Sequence, residues 1–199
     1  MRTSLRWAIA AGTVVAAGAG AVAVTGGFGA AAPPPRETAA AGDPVDAGPA
    51  ELAAHAWTVR DDIATRALEG IDGAEAWLVL AAEVTAATDL TTKFPDDALA
   101  LPDGLGVDDP EQVVLLPDLR RGPDLQPGLP SQVLLLWPLP GDVLAGDALA
   151  DDDLPLDYVR LRLDDSTIDS SQVWRVDGVA ATTVVPRDDA VGDELAEED

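Results

Sequence analysis

The chain has no cysteine. That absence excludes disulfides, zinc–thiolate centres and thiol nucleophiles. Histidine is nearly absent too. His55 is the single one, so a Ser-His-Asp triad would have to use it. The serines beyond the N-terminal segment are Ser131, Ser166, Ser170 and Ser171, and none sits in a Gly-x-Ser-x-Gly turn that would expose a nucleophile. Glycine-rich phosphate loops and dinucleotide fingerprints are missing as well. Aromatic residues make up 4% of the chain, so any core must be built mainly from Leu, Val and Ala. Basic residues are scarce: 12 stand against 36 acids, the net charge is −24, and Lys93 is the single lysine. Such a surface repels the phosphates of nucleic acids and anionic lipid headgroups, which excludes DNA and RNA as partners. The aspartate excess fits either a GC-rich coding bias or salt adaptation.

Charge is also missing locally. No acid precedes Glu37, and the stretch from Trp7 to Pro35 carries no charge at all. Arg2 and Arg6 lie before it. As a helix, Trp7–Val24 spans about 27 Å, close to a hydrocarbon core of about 30 Å. The length predicts a retained transmembrane anchor, whereas small residues at Gly29–Ala32 suit cleavage of a signal peptide. In either case the two arginines stay inside and the remainder is exported. The expected layout is a cytoplasmic N-terminus over 1–6, a transmembrane helix or signal peptide over 7–29 and a Pro/Ala-rich linker over 30–50. A folded domain over 51–187 and an acidic disordered tail over 188–199 follow.

The domain region has short apolar runs cut by Pro, Gly and Asp. In Ala76–Ala86, Leu78, Leu80, Ala82 and Val84 share one face, while Trp77, Val79 and Ala81 give the other apolar cover, which predicts a central strand. Gln132–Trp137 is apolar on both faces and is expected to end at Pro138, where a backbone donor is lost. In Tyr158–Leu163 the alternation puts Val159, Leu161 and Leu163 on one face and Tyr158, Arg160 and Arg162 on the other. Further strands are expected at Ala54–Val59, Ile63–Leu68, Gln112–Leu116, Gln172–Val176 and Val179–Val185. Seven or eight short strands with turns between them predict an all-β antiparallel sandwich.

Three features carry a resemblance: the strand Trp77–Thr85, the turn Leu125-Gln126-Pro127-Gly128 before a strand closing at Pro138 and Pro140, and the alternating basic strand before Asp164-Asp165-Ser166. In their order the chain resembles exported immunoglobulin-like β-sandwich domains of unknown function from actinobacteria. More remotely it is similar to the secreted mycobacterial immunoprotective antigens. The resemblance covers about residues 51–185 and implies an immunoglobulin-like fold and a place outside the cytoplasm. It implies no catalytic residues.

Function then divides into three readings. The first is a membrane-tethered, non-enzymatic interaction module whose partner is another envelope or membrane protein. The second is a Ca²⁺-binding adhesion or sensor domain with Asp151, Asp153 and Asp157 as candidate ligands, since hard cations need several converging oxygens. No Asp-x-Asp-x-Asp-Gly loop is present to support it. The third is an exported hydrolase. No cofactor is expected.

Overall fold

A computed structural model describes residues 36–63, 74–116, 118–146, 149–164 and 173–196. The anchor or signal segment over 7–29 lies outside them. Among the described residues no helix is long and apolar enough to cross a membrane.

The fold is all-β. The strands are β1 (Glu37–Thr38), β2 (Val45–Asp46), β3 (Ala50–Arg60), β4 (Ala76–Ala86), β5 (Thr92–Lys93) and β6 (Leu99–Ala100). They continue as β7 (Gln112–Leu115), β8 (Arg120–Arg121), β9 (Asp124–Leu125), β10 (Pro130–Leu139), β11 (Asp153–Leu163) and β12 (Trp174–Pro186). Among the described residues helix is confined to one turn, α1 (Gly141–Leu144), and short 3₁₀ turns at Asp96–Ala98, Asp103–Leu105 and Asp193–Leu195. One sheet has the order β1-β12-β11-β6 and a second β2-β3-β4-β10-β7-β8, while β5 and β9 form a small ribbon. Pairing is antiparallel except between β1 and β12.

The two larger sheets share one core. Leu78, Leu80, Ala82 and Val84 of β4 join Trp57 of β3 and Val133, Leu135 and Trp137 of β10. From the other sheet come Leu154, Leu156, Tyr158, Ala181 and Val185. Period-two alternation explains why one strand serves two clusters. Trp77 and Val79, on the opposite face of β4, pack with Leu134 and Leu136 in a second cluster. β4 lies between β3 and β10, and both its faces are apolar because the smaller sheet covers one and Val191 and Leu195 cover the other.

Two chain segments expected outside the domain belong to it. The stretch read as a linker over 30–50 contributes β1 and β2 from its described part, and Ala47 and Ala50 are fully buried. Its small residues let the chain run against other backbone. Leu161 donates its N–H to Ala47 O at 2.9 Å, and a Cβ on Gly48 would stand 2.0 Å from Leu161 O. The tail expected to be disordered from 188 packs over the second cluster as far as it is described. Val191 and Leu195 are buried against the outer face of the larger sheet, and Ala196 bridges to Ile63. Arg60 fixes this segment. Its guanidinium donates to Asp62 (2.7 Å), to Asp193 (2.6 Å) and to Val191 O (3.3 Å), with only 12% of its side chain exposed. Two apolar residues spaced by four are enough to dock an acidic tail when the sheet face beneath is greasy.

Strand limits also differ from expectation. β10 runs through Pro138, which pairs with Trp77, to Leu139. Leu116 N–H donates to Gln132 O and Glu111 N–H to Leu136 O, so the even-numbered peptide groups of β10 point to the β7 side. Pairing with β7 stops at Leu136. The N–H that Pro138 lacks would therefore meet no ladder partner, and the proline costs nothing there. Gln172–Val176 and Val179–Val185 merge, over the described residues, into the single strand β12. Its register slips at Tyr158/Val159 and at Arg160/Leu161, leaving Ala180 and Asp177 as extra residues. These bulges shift the alternation of β12 against β11. Tyr158, expected beside Arg160 on the outer face, is instead fully buried, and its Oη accepts the N–H of Ala54 at 2.8 Å. Of the strand expected over Ile63–Leu68, Ile63 makes its one bridge and residues 64–68 lie outside the described part.

Candidate functional site

Near one end of the smaller sheet a cleft forms between the β11–β12 hairpin and the segment Asp96–Asp109. That segment is pinned by its apolar residues. Phe94, Ala98, Leu99 and Leu105 are buried, β6 pairs with Asp157 and Tyr158, and Trp137 Nε1 donates to Asp108 O at 3.0 Å. With Ala98, Leu99 and Leu105 of the segment turned inward as anchors, its aspartates are left facing out. Asp97, Asp103, Asp108 and Asp109 line a cavity of about 330 Å³ together with Leu99, Val107, Val159 and Val176. Among the described residues no basic side chain lines it.

The carboxylates of this cleft crowd one another. Desolvation raises the pKa of Asp109, helped by repulsion from Asp97 and Asp108 and by a hydrogen bond shared with Asp97. Desolvation likewise raises Asp96, with Asp109 and Asp97 adding repulsion. A carboxyl whose folded pKa exceeds its unfolded value binds its proton more tightly in the native state. Its contribution is greatest at low pH and is lost as pH rises through the two values. Mild acidification toward the carboxylate range should thus favour the folded state through Asp96 and Asp109, whereas Asp62 beside Arg60 and Asp124 beside Lys93, held low by their partners, act in the opposite sense. Asp109→Asn should raise the melting temperature at pH 7 and flatten the pH dependence. A scan of melting temperature against pH for both proteins checks this.

The opposite wall is apolar. Cross-strand partners share a face. Val176 stands beside Leu161, and Val179 beside Val159. Leu161 and Val159 are buried, but Val176 is 63% exposed and Val179 38%. Val173, just before β12, is 37% exposed. On the β1 side, β1 pairs only with Ala181 and Thr182, so among the described residues Trp174–Ala180 has no ladder partner there. Arg162 and Arg175 occupy the other face of the hairpin, where they engage Asp177 (3.5 Å) and Asp164.

The residues singled out from sequence do not converge. Asp153 opens β11 and Asp157 lies four residues further along it, about 13 Å away at strand rise. Ligands of one Ca²⁺ each sit about 2.4 Å from it, so this pair cannot share an ion. Asp157 is also bound to Arg36 at 3.1 Å, and Asp151 is exposed in the bend before the strand. No group of three potential metal ligands occurs among the described residues. His55 is the bulged residue of β3 and is exposed above Gly42. Ser131 lies two strands away on β10, where it lines a separate depression with Glu83 and Glu194. From the ladder spacings the two residues are on the order of 14 Å apart. Ser166, Ser170 and Ser171 lie outside the described residues. Trp57, Trp77 and Trp137 are buried and serve the core, with the Arg187 guanidinium 5.6 Å above the Trp57 ring.

Sequence reasoning missed the cleft. The doublets Asp96-Asp97 and Asp108-Asp109 were visible, but nothing local says that the intervening chain folds back to join them. No family model, curated protein or solved structure matches this chain.

Proposed function

We propose that this chain is a membrane-tethered, extracytoplasmic interaction module, an immunoglobulin-like β-sandwich without catalytic activity. Its partner is a protein of the cell envelope. The observation that carries this reading is the uncovered apolar stretch of β12. Val176 and Val179 are exposed beside a formed cleft, on a strand whose edge there has no ladder partner among the described residues. Isolated exposed apolar residues mean little, but a run of them against a cavity marks a contact surface. The tether is supported by the uncharged stretch from Trp7 to Pro35 behind Arg2 and Arg6. The sandwich is supported by the core shared between the two larger sheets and by the resemblance to exported immunoglobulin-like domains.

The absence of cysteine makes the test clean. Single variants Leu90→Cys and Val176→Cys both start from exposed positions, so a membrane-impermeant maleimide should label the purified proteins equally fast. In intact cells Leu90→Cys should still label rapidly and Val176→Cys slowly, because a partner covers it. If neither site labels in intact cells, the chain is not outside the membrane. Equal labelling in cells would contradict a covered face.

A further inference from the structure

We infer that the occupant of the cleft is an extended polypeptide segment carrying lysine or arginine flanked by apolar side chains. The inference rests on the interaction-module reading and adds the chemistry of the partner. Two walls of different character make the case. Val159, Val176 and the adjoining Val179 offer an apolar strip that the rest of the fold leaves partly bare. Asp97, Asp103, Asp108 and Asp109 face the same cavity without a basic residue among its lining. A purely apolar segment would desolvate those carboxylates without compensation. An acidic one would be repelled. Lysine and arginine satisfy both walls, because their methylene stems lie along apolar surface while the charged head reaches a carboxylate. The cationic head would also relieve the crowding that makes Asp97 and Asp109 share a hydrogen bond. The arginines of the hairpin do not do this from within, since Arg160, Arg162 and Arg175 alternate onto its other face, where Arg162 and Arg175 have acidic partners of their own.

A chain of net charge −24 attracts any polycation diffusely, so the experiment must separate place from charge. The probe is a fluorescein-labelled decapeptide of alternating Val and Arg, titrated with the full chain and followed by fluorescence anisotropy. Its counterpart replaces each Val by Ser. The Val-Arg peptide should bind about tenfold more tightly than the Ser-Arg peptide, as expected for burying apolar side chains. Asp97→Asn with Asp109→Asn should weaken it by about tenfold. Asp151→Asn with Asp152→Asn, which removes the same charge elsewhere, should change it less than about twofold. Val176→Ser should weaken the Val-Arg peptide and leave the Ser-Arg peptide unchanged. The first double variant should also melt higher at pH 7, so weaker binding would not reflect unfolding. Equal losses in the two double variants, equal affinity for the two peptides, or no binding of either would overturn the proposal. If Val176→Cys nevertheless remains shielded in cells, the module reading stands and only the basic partner is wrong.

Discussion

Replacing Gly48 by alanine is expected to destabilise the domain by about 3 kcal/mol or more, although a single methyl group is added. Gly48 has φ +99°, a conformation that L side chains rarely adopt. The new Cβ would also stand 2.0 Å from Leu161 O and 3.0 Å from its carbonyl carbon. Those atoms are backbone and cannot rotate away. Relief requires β11 and the β2–β3 turn to separate, which breaks the bond from Leu161 N–H to Ala47 O and opens the pocket that buries Ala47 and Ala50. The control is Gly104→Ala. A Cβ there meets nothing within 4 Å, so that change should be neutral or slightly stabilising. Urea unfolding of the two variants decides the matter. A Gly48→Ala protein as stable as the parent would mean that the β2–β3 turn does not lie against β11.

Removal of the segment from Asp188 onward should be at least as damaging. Leu195 is fully buried, and with Val191 it covers Trp77, Val79, Leu134 and Leu136. Without that cover a broad apolar face of the larger sheet meets water, and aggregation is expected along with lower stability. Leu195→Ala isolates the contact and should lose about 2–5 kcal/mol. Glu194→Ala, at the exposed neighbouring position, should change stability by less than about 0.5 kcal/mol. Chemical denaturation with light scattering would register both effects. A truncated chain that stays monomeric and equally stable would show that the acidic tail is dispensable.

The contrast between these segments and the central strands shows where sequence is informative. Ala76–Ala86 was legible because alternation is a local signal, and both faces announced themselves through Leu78, Leu80 and Val84 against Trp77 and Val79. The turn before β10 was legible from Pro127-Gly128, and Leu129 N–H does bond to Gln126 O at 3.2 Å with Gly128 at φ +66°. Alanine carries no such signal. Ala47 and Ala50 look like linker because small residues suit both solvent and close backbone packing. The tail was masked by charge: Asp188, Asp189, Asp193 and Glu194 outweigh Val191 and Leu195 in any average, yet two buried side chains and an Arg60 fork hold it. The bulges at Asp177 and Ala180 shift β12 by one residue each without a compositional mark, and Tyr158 was placed on the wrong face because it and its neighbour Val159 are both buried, which strict alternation cannot describe. The cleft depends on chain reversal between residues 95 and 110 and on pairing with β11, both non-local.

The most direct test of the claim that β12 presents a covered face is site-specific photo-crosslinking in intact cells. A photoreactive amino acid is placed at Val176, at Val179, or at Leu144 in α1 as the reference. All three positions are exposed, so each variant should fold and be displayed. Irradiation should give one discrete, heavier adduct from positions 176 and 179 and none from 144. The same adduct should disappear when Asp97→Asn and Asp109→Asn are combined with the crosslinker. A ladder of equal intensity from all three positions, or no adduct from Val176 and Val179, would contradict a dedicated interaction surface on this strand.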